Sequence, residues 1–133
     1  MTLIVLSDQR MSRNIGHRIC SEHRKYQKII QMDRDRLIEA IRNGFIEWQT
    51  HALERMMKRG ISREIVKQVL LEGEIIEDYP DDKPFPTALF LGWLQEEPFH
   101  VVTALDPVSG YCFVITVYRP DLDHFEPDYK TRR

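Results

Sequence analysis

The chain has 133 residues, of which 42% are hydrophobic and 30% charged, a balance that suits one soluble globular domain with a real core. No apolar run approaches the ~20 residues of a membrane span, and Leu3-Ile4-Val5-Leu6 is shorter than the ~7–15-residue core of a signal peptide. Net charge is −2, but residues 1–32 hold six Lys/Arg against two Asp/Glu while the remainder holds 13 against 19. An acidic body weighs against broad nonspecific nucleic-acid binding and leaves room for a local basic site.

Residues 1–32 show no clean period after Leu6 and read as a basic extension, loosely attached, with Met32 a natural start for the domain proper. Residues 33–133 read as a single domain. Asp33 is placed to cap a helix that buries Leu37, Ile38 and Ile41 and stops at Asn43-Gly44. Phe45-Ile46-Glu47-Trp48 is short, apolar and extended. A central helix comes next, with Thr50 as its cap and Gly60 as its stop. Ser62 then caps a third helix carrying Ile65, Val66, Val69 and Leu70 at helical spacing, closed by Gly73.

The second half changes period. Glu74–Tyr79 reads as an edge strand, and prolines 80, 84 and 86 separate it from Thr87–Leu94. The turns Gln95–Pro98 and Asp106–Gly110 divide the remaining strands, Phe99–Leu105 and Tyr111–Tyr118. Pro120 ends the sheet. Asp121–Arg133 is a polar tail with Phe125 as its anchor. The expected fold is α+β, with short N-terminal helices packed on a four-stranded, mainly antiparallel sheet.

Two groups of residues carry possible chemistry. On the central helix, at about 100° per residue, His51, Arg55 and Arg59 form one narrow stripe, with Ala52, Leu53, Met56 and Met57 opposite as the core face. Guanidinium forks match phosphate oxygens, and an imidazole moves protons near neutrality. The plain alternative is a solvated charged face. In the sheet, a simple register sets His100 opposite Thr116, with Tyr118 diagonal to it and Trp93 alongside. That cluster is either a site or a His and Tyr that satisfy each other at the sheet margin. Arg119 either joins the stripe as a clamp or pairs with Asp121 or Asp123.

Metal and cofactor signals are weak. The acidic run from Glu72 to Asp82 has no ligand spacing, Asp121, Asp123 and His124 form only a sparse set, and no glycine-rich phosphate loop or serine elbow occurs. No metal and no cofactor is expected. Cys20 and Cys112 read as reduced thiols of a cytoplasmic protein, with Cys112 inert within a strand.

Four separated blocks resemble one bacterial family, domain-of-unknown-function family 4258. They are His51-Ala52 with Glu54-Arg55-Met56 and Arg59-Gly60-Ile61-Ser62; Gly73–Pro80; His100-Val101-Val102; and Ile115–Pro120. The resemblance runs from about Asp33 to the C-terminus. The family is distantly similar to RelE-like ribonuclease toxins, and its members are often encoded beside a zinc-finger protein resembling an antitoxin. The resemblance implies a RelE-toxin-like fold and a metal-independent endoribonuclease of a toxin–antitoxin pair, with RNA and a cognate antitoxin-like protein as partners. His51 or His100 would then be the acid/base, Tyr118 a positioning group, and Arg55, Arg59 and Arg119 phosphate clamps. A non-catalytic protein-binding module is the alternative. Two departures stand out: the toxins are typically basic, and Phe125 occupies a position that is commonly Trp.

Overall fold

A computed structural model describes residues 32–133. The basic extension falls outside these residues except for Met32, which is buried and joins the main core rather than the leader.

Helix α1 (Arg34–Asn43) begins as its sequence implies, with the Asp33 carboxylate accepting from the Arg36 N–H at 3.2 Å, and ends at Gly44 with φ of 81°. Strand β1 (Ile46–Trp48) comes next, then α2 (Thr50–Arg59) and α3 (Arg63–Glu72). The cap of α2 is Gln49, not Thr50. The Gln49 N–H bonds the Val114 carbonyl at 3.2 Å, and this tether to the sheet starts the helix at Thr50 without a side-chain cap. Gly60 ends it in the left-handed region, φ 66°. Ser62 caps α3 by accepting from the Ile65 N–H at 3.2 Å.

Strands β2 (Glu74–Tyr79), β3 (Thr87–Leu94), β4 (Glu97–Leu105) and β5 (Cys112–Tyr118) form the expected antiparallel meander. The sheet nevertheless has five strands, in the order β1-β5-β4-β3-β2, and it is mixed because β1 runs parallel to β5. The four-stranded expectation is thereby corrected. A three-residue strand whose partner lies more than 60 residues away leaves no hairpin signal in the sequence.

The register also departs from simple pairing. The β3–β4 turn is only Gln95-Glu96, both with positive φ, so Leu94 faces Glu97, Trp93 faces Pro98 and Leu91 faces His100. Leu105 pairs with Cys112 rather than Tyr111, and a bulge between Val102 and Thr103 moves the register once more. Together these two one-residue changes set His100 directly opposite Tyr118 instead of Thr116.

One face of the sheet carries the helices over a core that includes Phe90, Phe99, Val101, Val114 and Val117. Helix α3 lies especially close to β3: a Cβ on Gly92 would sit 2.9 Å from Val69 Cγ2, and one on Gly73 would sit 2.6 Å from the Leu91 carbonyl oxygen. The tail crosses the other face, where Phe125 is buried as expected and meets the His100 ring edge-on at 4.7 Å.

Helix α2 uses a narrower face than its sequence suggests. Ala52 and Met56 are buried and Leu53 packs against them, but Met57 is 84% exposed. Met57 lies one residue, about 100°, beyond Met56, past the strip that reaches the sheet. Met56→Ala should therefore lower the unfolding free energy by about 2–5 kcal/mol, and Met57→Ala should stay within roughly 0.5 kcal/mol of wild type in chemical denaturation.

Candidate functional site

The C-terminal half of α2, the end of β5 and the tail enclose a cleft of about 570 Å³. Arg55, Arg59, Tyr118, Arg119, Asp121, His124 and Arg132 line it. Local sequence explains the arrangement. Arg55 and Arg59 are four residues apart on the helix and project from one side, while Pro120 turns the chain after Arg119 so that the tail folds back over the sheet.

The four arginines are not equivalent. Arg119 donates to the Glu97 carboxylate through Nε, donates to the Arg59 carbonyl at 2.8 Å, and lies 5.2 Å from the centre of the Phe99 ring. It thus ties β4 and the C-terminal end of α2 to β5, and its acidic partner is Glu97 rather than Asp121 or Asp123. Arg132 forms a two-pronged pair with Glu77, at 2.7 and 3.0 Å, and stacks over Phe125. Among the described residues, Arg55 and Arg59 form no ion pair. They are the cations left uncompensated beside the cleft.

The two histidines expected to act here are placed elsewhere. His51 is exposed in the first turn of α2 and does not line the cleft. Two helical turns, or about 12 Å of rise, separate it from Arg59. His100 lies within the sheet, 0% exposed, with Nε2 2.8 Å from the Tyr129 carbonyl oxygen and Nδ1 3.1 Å from the Tyr118 hydroxyl. Burial pulls its pKa below the usual histidine value, and the Tyr129 carbonyl opposes that shift. Burial also pushes the Tyr118 phenol above its ordinary range, so it stays protonated.

The imidazole that does line the cleft is His124, whose side chain is 75% exposed. Its Nδ1 is 2.8 Å from Asp121 Oδ1, and that carboxylate also accepts the backbone N–H groups of Asp123 and His124 at 3.0 Å. The bond from His124, with those backbone bonds, holds the Asp121 carboxyl below the usual range. A carboxylate on Nδ1 leaves Nε2 as the exposed proton acceptor. Sequence reasoning treated His124 only as a sparse metal hint and passed over Arg132. Its spacing of three residues from Asp121, just past a strand-ending proline, was the available signal.

Elsewhere the chemistry is quiet. Cys112 is buried beside Thr103, and burial pushes its thiol up to about 11. Among the described residues no group of three His, Cys, Asp or Glu side chains could hold a metal ion, and no helix is long and apolar enough to cross a membrane.

The fold and cleft define a small α+β domain whose site lies where one helix, the last strand and the tail meet. By sequence the chain belongs to the domain-of-unknown-function family DUF4258, whose model matches residues 48–119. No curated protein and no solved structure matches it. The matched segment runs from the end of β1 through β5 and includes Arg55, Arg59, Tyr118 and Arg119; Asp121, His124 and Arg132 lie beyond it.

The buried neutral His100 makes stability depend on pH with a definite sign. Its folded pKa lies below the ordinary 6.5, so the unfolded chain binds the proton more readily. Its contribution is complete above pH 6.5, is lost as pH falls from there toward the folded value, and levels off below that. The charged groups bearing on it are Glu77 from β2 and Arg132 from the tail, which oppose one another. Urea midpoints measured from pH 7.5 to 5 should fall in wild type, and His100→Asn should flatten that fall.

Proposed function

We propose that the cleft binds an RNA phosphodiester and cleaves it, making this chain a metal-independent endoribonuclease of a toxin–antitoxin pair, RelE-like in architecture. The observation that carries this reading is the convergence of two uncompensated arginines, Arg55 and Arg59, with the Asp121–His124 pair around one open cleft. Phosphoryl transfer needs fixed positive charge and a mobile proton, and these residues supply both.

In this scheme the guanidinium forks of Arg55 and Arg59 hold the nonbridging oxygens and take up charge as it builds. His124 Nε2 removes the 2′-hydroxyl proton. The 2′-oxygen attacks phosphorus and the bond to the 5′-oxygen breaks, leaving a 2′,3′-cyclic phosphate. The imidazolium, oriented by Asp121, returns the proton to the 5′-oxygen, so one residue closes the proton balance. Tyr118 positions the substrate. Arg119 serves chiefly to fix the wall of the cleft, because its charge is met by Glu97. His51 reaches toward RNA flanking the cleft rather than the reacting phosphate. The partner in the cell is a cognate antitoxin-like protein, of the zinc-finger kind that the family resemblance implies.

A second reading, a protein-binding module without nuclease activity, draws on the same electrostatics. Glu97 and Glu77 already neutralise Arg119 and Arg132, so the rim is far less basic than four arginines suggest.

Purified full-length chain incubated with mixed RNA should yield fragments ending in cyclic phosphate, with chelator making no difference. His124→Ala should reduce turnover by about 10²–10⁴-fold with folding intact. Arg55→Ala should weaken binding and turnover together, and Arg55→Lys should recover only part of the loss. Induced expression should arrest growth, and the neighbouring partner should relieve it. Wild type that yields no fragments with or without ribosomes, and no arrest, leaves the binding module as the answer.

A further inference from the structure

The two ring nitrogens of His100 face groups of unequal character. The Tyr129 carbonyl, 2.8 Å from Nε2, can only accept, so Nε2 carries the hydrogen. The ring is fully buried, which disfavours a second proton, so Nδ1 presents a lone pair. The Tyr118 hydroxyl, 3.1 Å away, must then donate to it. Its single hydrogen is used inside the sheet, although Tyr118 also lines the cleft. What the phenol oxygen has left for a ligand is acceptor capacity alone. Phosphate oxygens are acceptors too and gain nothing from it. A ribose 2′-hydroxyl is a donor.

We propose that Tyr118 is the ribose-recognition residue of the cleft, its oxygen accepting a hydrogen bond from the 2′-hydroxyl of a bound ribonucleotide in the resting complex; that single hydrogen turns to His124 Nε2 only when the hydroxyl attacks. His100, held in one tautomer by the Tyr129 carbonyl, is the positioning residue that keeps Tyr118 an acceptor. This rests on reading the cleft as a phosphodiester site and adds what arginines cannot provide, discrimination of RNA from DNA. The tail takes part at a distance, because Tyr129 fixes the tautomer and the Trp93 ring meets the Tyr129 ring edge-on at 5.7 Å.

The test uses full-length protein and two ligands that cannot be cleaved, adenosine 3′-monophosphate and its 2′-deoxy counterpart, titrated while backbone amides are followed by NMR. The ribonucleotide should bind roughly three- to tenfold more tightly, the worth of one hydrogen bond. Tyr118→Phe should erase the difference, so that the two nucleotides bind the variant alike. His100→Asn, whose amide oxygen can stand where Nδ1 stands, should preserve it. Independently of any ligand, the long-range ¹⁵N spectrum of the wild-type imidazole should show the Nε2–H tautomer, with the Nδ1 resonance moving in Tyr118→Phe. Equal affinity of wild type for the two nucleotides, or an Nδ1–H tautomer, overturns this proposal and leaves the phosphate reading standing. Failure of both nucleotides to perturb the amides of Arg55 and Arg59 overturns both proposals.

Discussion

The pairing of β4 with β5 is the constraint on which most of this molecule depends. A bulge between Val102 and Thr103 advances the register so that His100 meets Tyr118 and Val101 meets Val117. Because strand side chains alternate, that choice sends Val101 and Val117 into the helix-side core and His100 and Tyr118 to the face under the tail. It also sets the end of β5 beside the end of α2, where Arg119 can reach the Arg59 carbonyl. A further one-residue slip would place an imidazole in the helix-side core without a partner and valines under the tail. Burying an unpaired polar group would oppose that alternative strongly.

The electrostatics rest on a division of labour among chemically identical side chains. Arg119 and Arg132 each have a carboxylate and an aromatic face, and they act as rivets between elements. Arg55 and Arg59 have neither among the described residues. A guanidinium that already has its geometry satisfied offers little to an incoming anion, so any affinity for phosphate rests on the α2 pair. This arrangement also reconciles an acidic domain with a basic site. Acidic residues outnumber basic ones across residues 33–133, yet beside the cleft two guanidiniums without a carboxylate partner stand one turn apart on a single helix.

Much of the fold was legible because it is written in local chemistry. Asp33 and Ser62 cap helices as their side chains allow, Gly44 and Gly60 end them in the left-handed region, and Phe125 anchors the tail. What stayed hidden was set by long-range contacts. The parallel partner of β1, the two register changes and the width of the buried face of α2 have no periodicity of their own. The lining of the candidate cleft divided along the same line. Arg55 and Arg59 declared themselves by helical spacing, and Tyr118 and Arg119 by their place at a strand end. His51 shared the stripe but lies one turn before Arg55 and outside the cleft lining, and His100 shared the strand but is enclosed. His124 and Arg132 reach the cleft only because the tail folds back, and no local pattern announces that.

The tail is therefore a wall of the cleft as well as a cover for the sheet. It contributes Asp121, His124 and Arg132 to the lining of the cleft, and it places Tyr129 against the imidazole behind Tyr118. These contacts differ in kind. Phe125 and the Glu77–Arg132 pair hold the tail to the sheet through apolar burial and a two-pronged ion pair, both of which tolerate small movements. The Tyr129 carbonyl does something that burial cannot do, since it selects which nitrogen of His100 carries hydrogen. A displacement of that carbonyl by about 1 Å would break the bond and free the tautomer. The hydrogen-bonding character of Tyr118, on the far side of the imidazole, would then no longer be fixed. Residues outside the family-matched segment thus govern the chemistry of one within it.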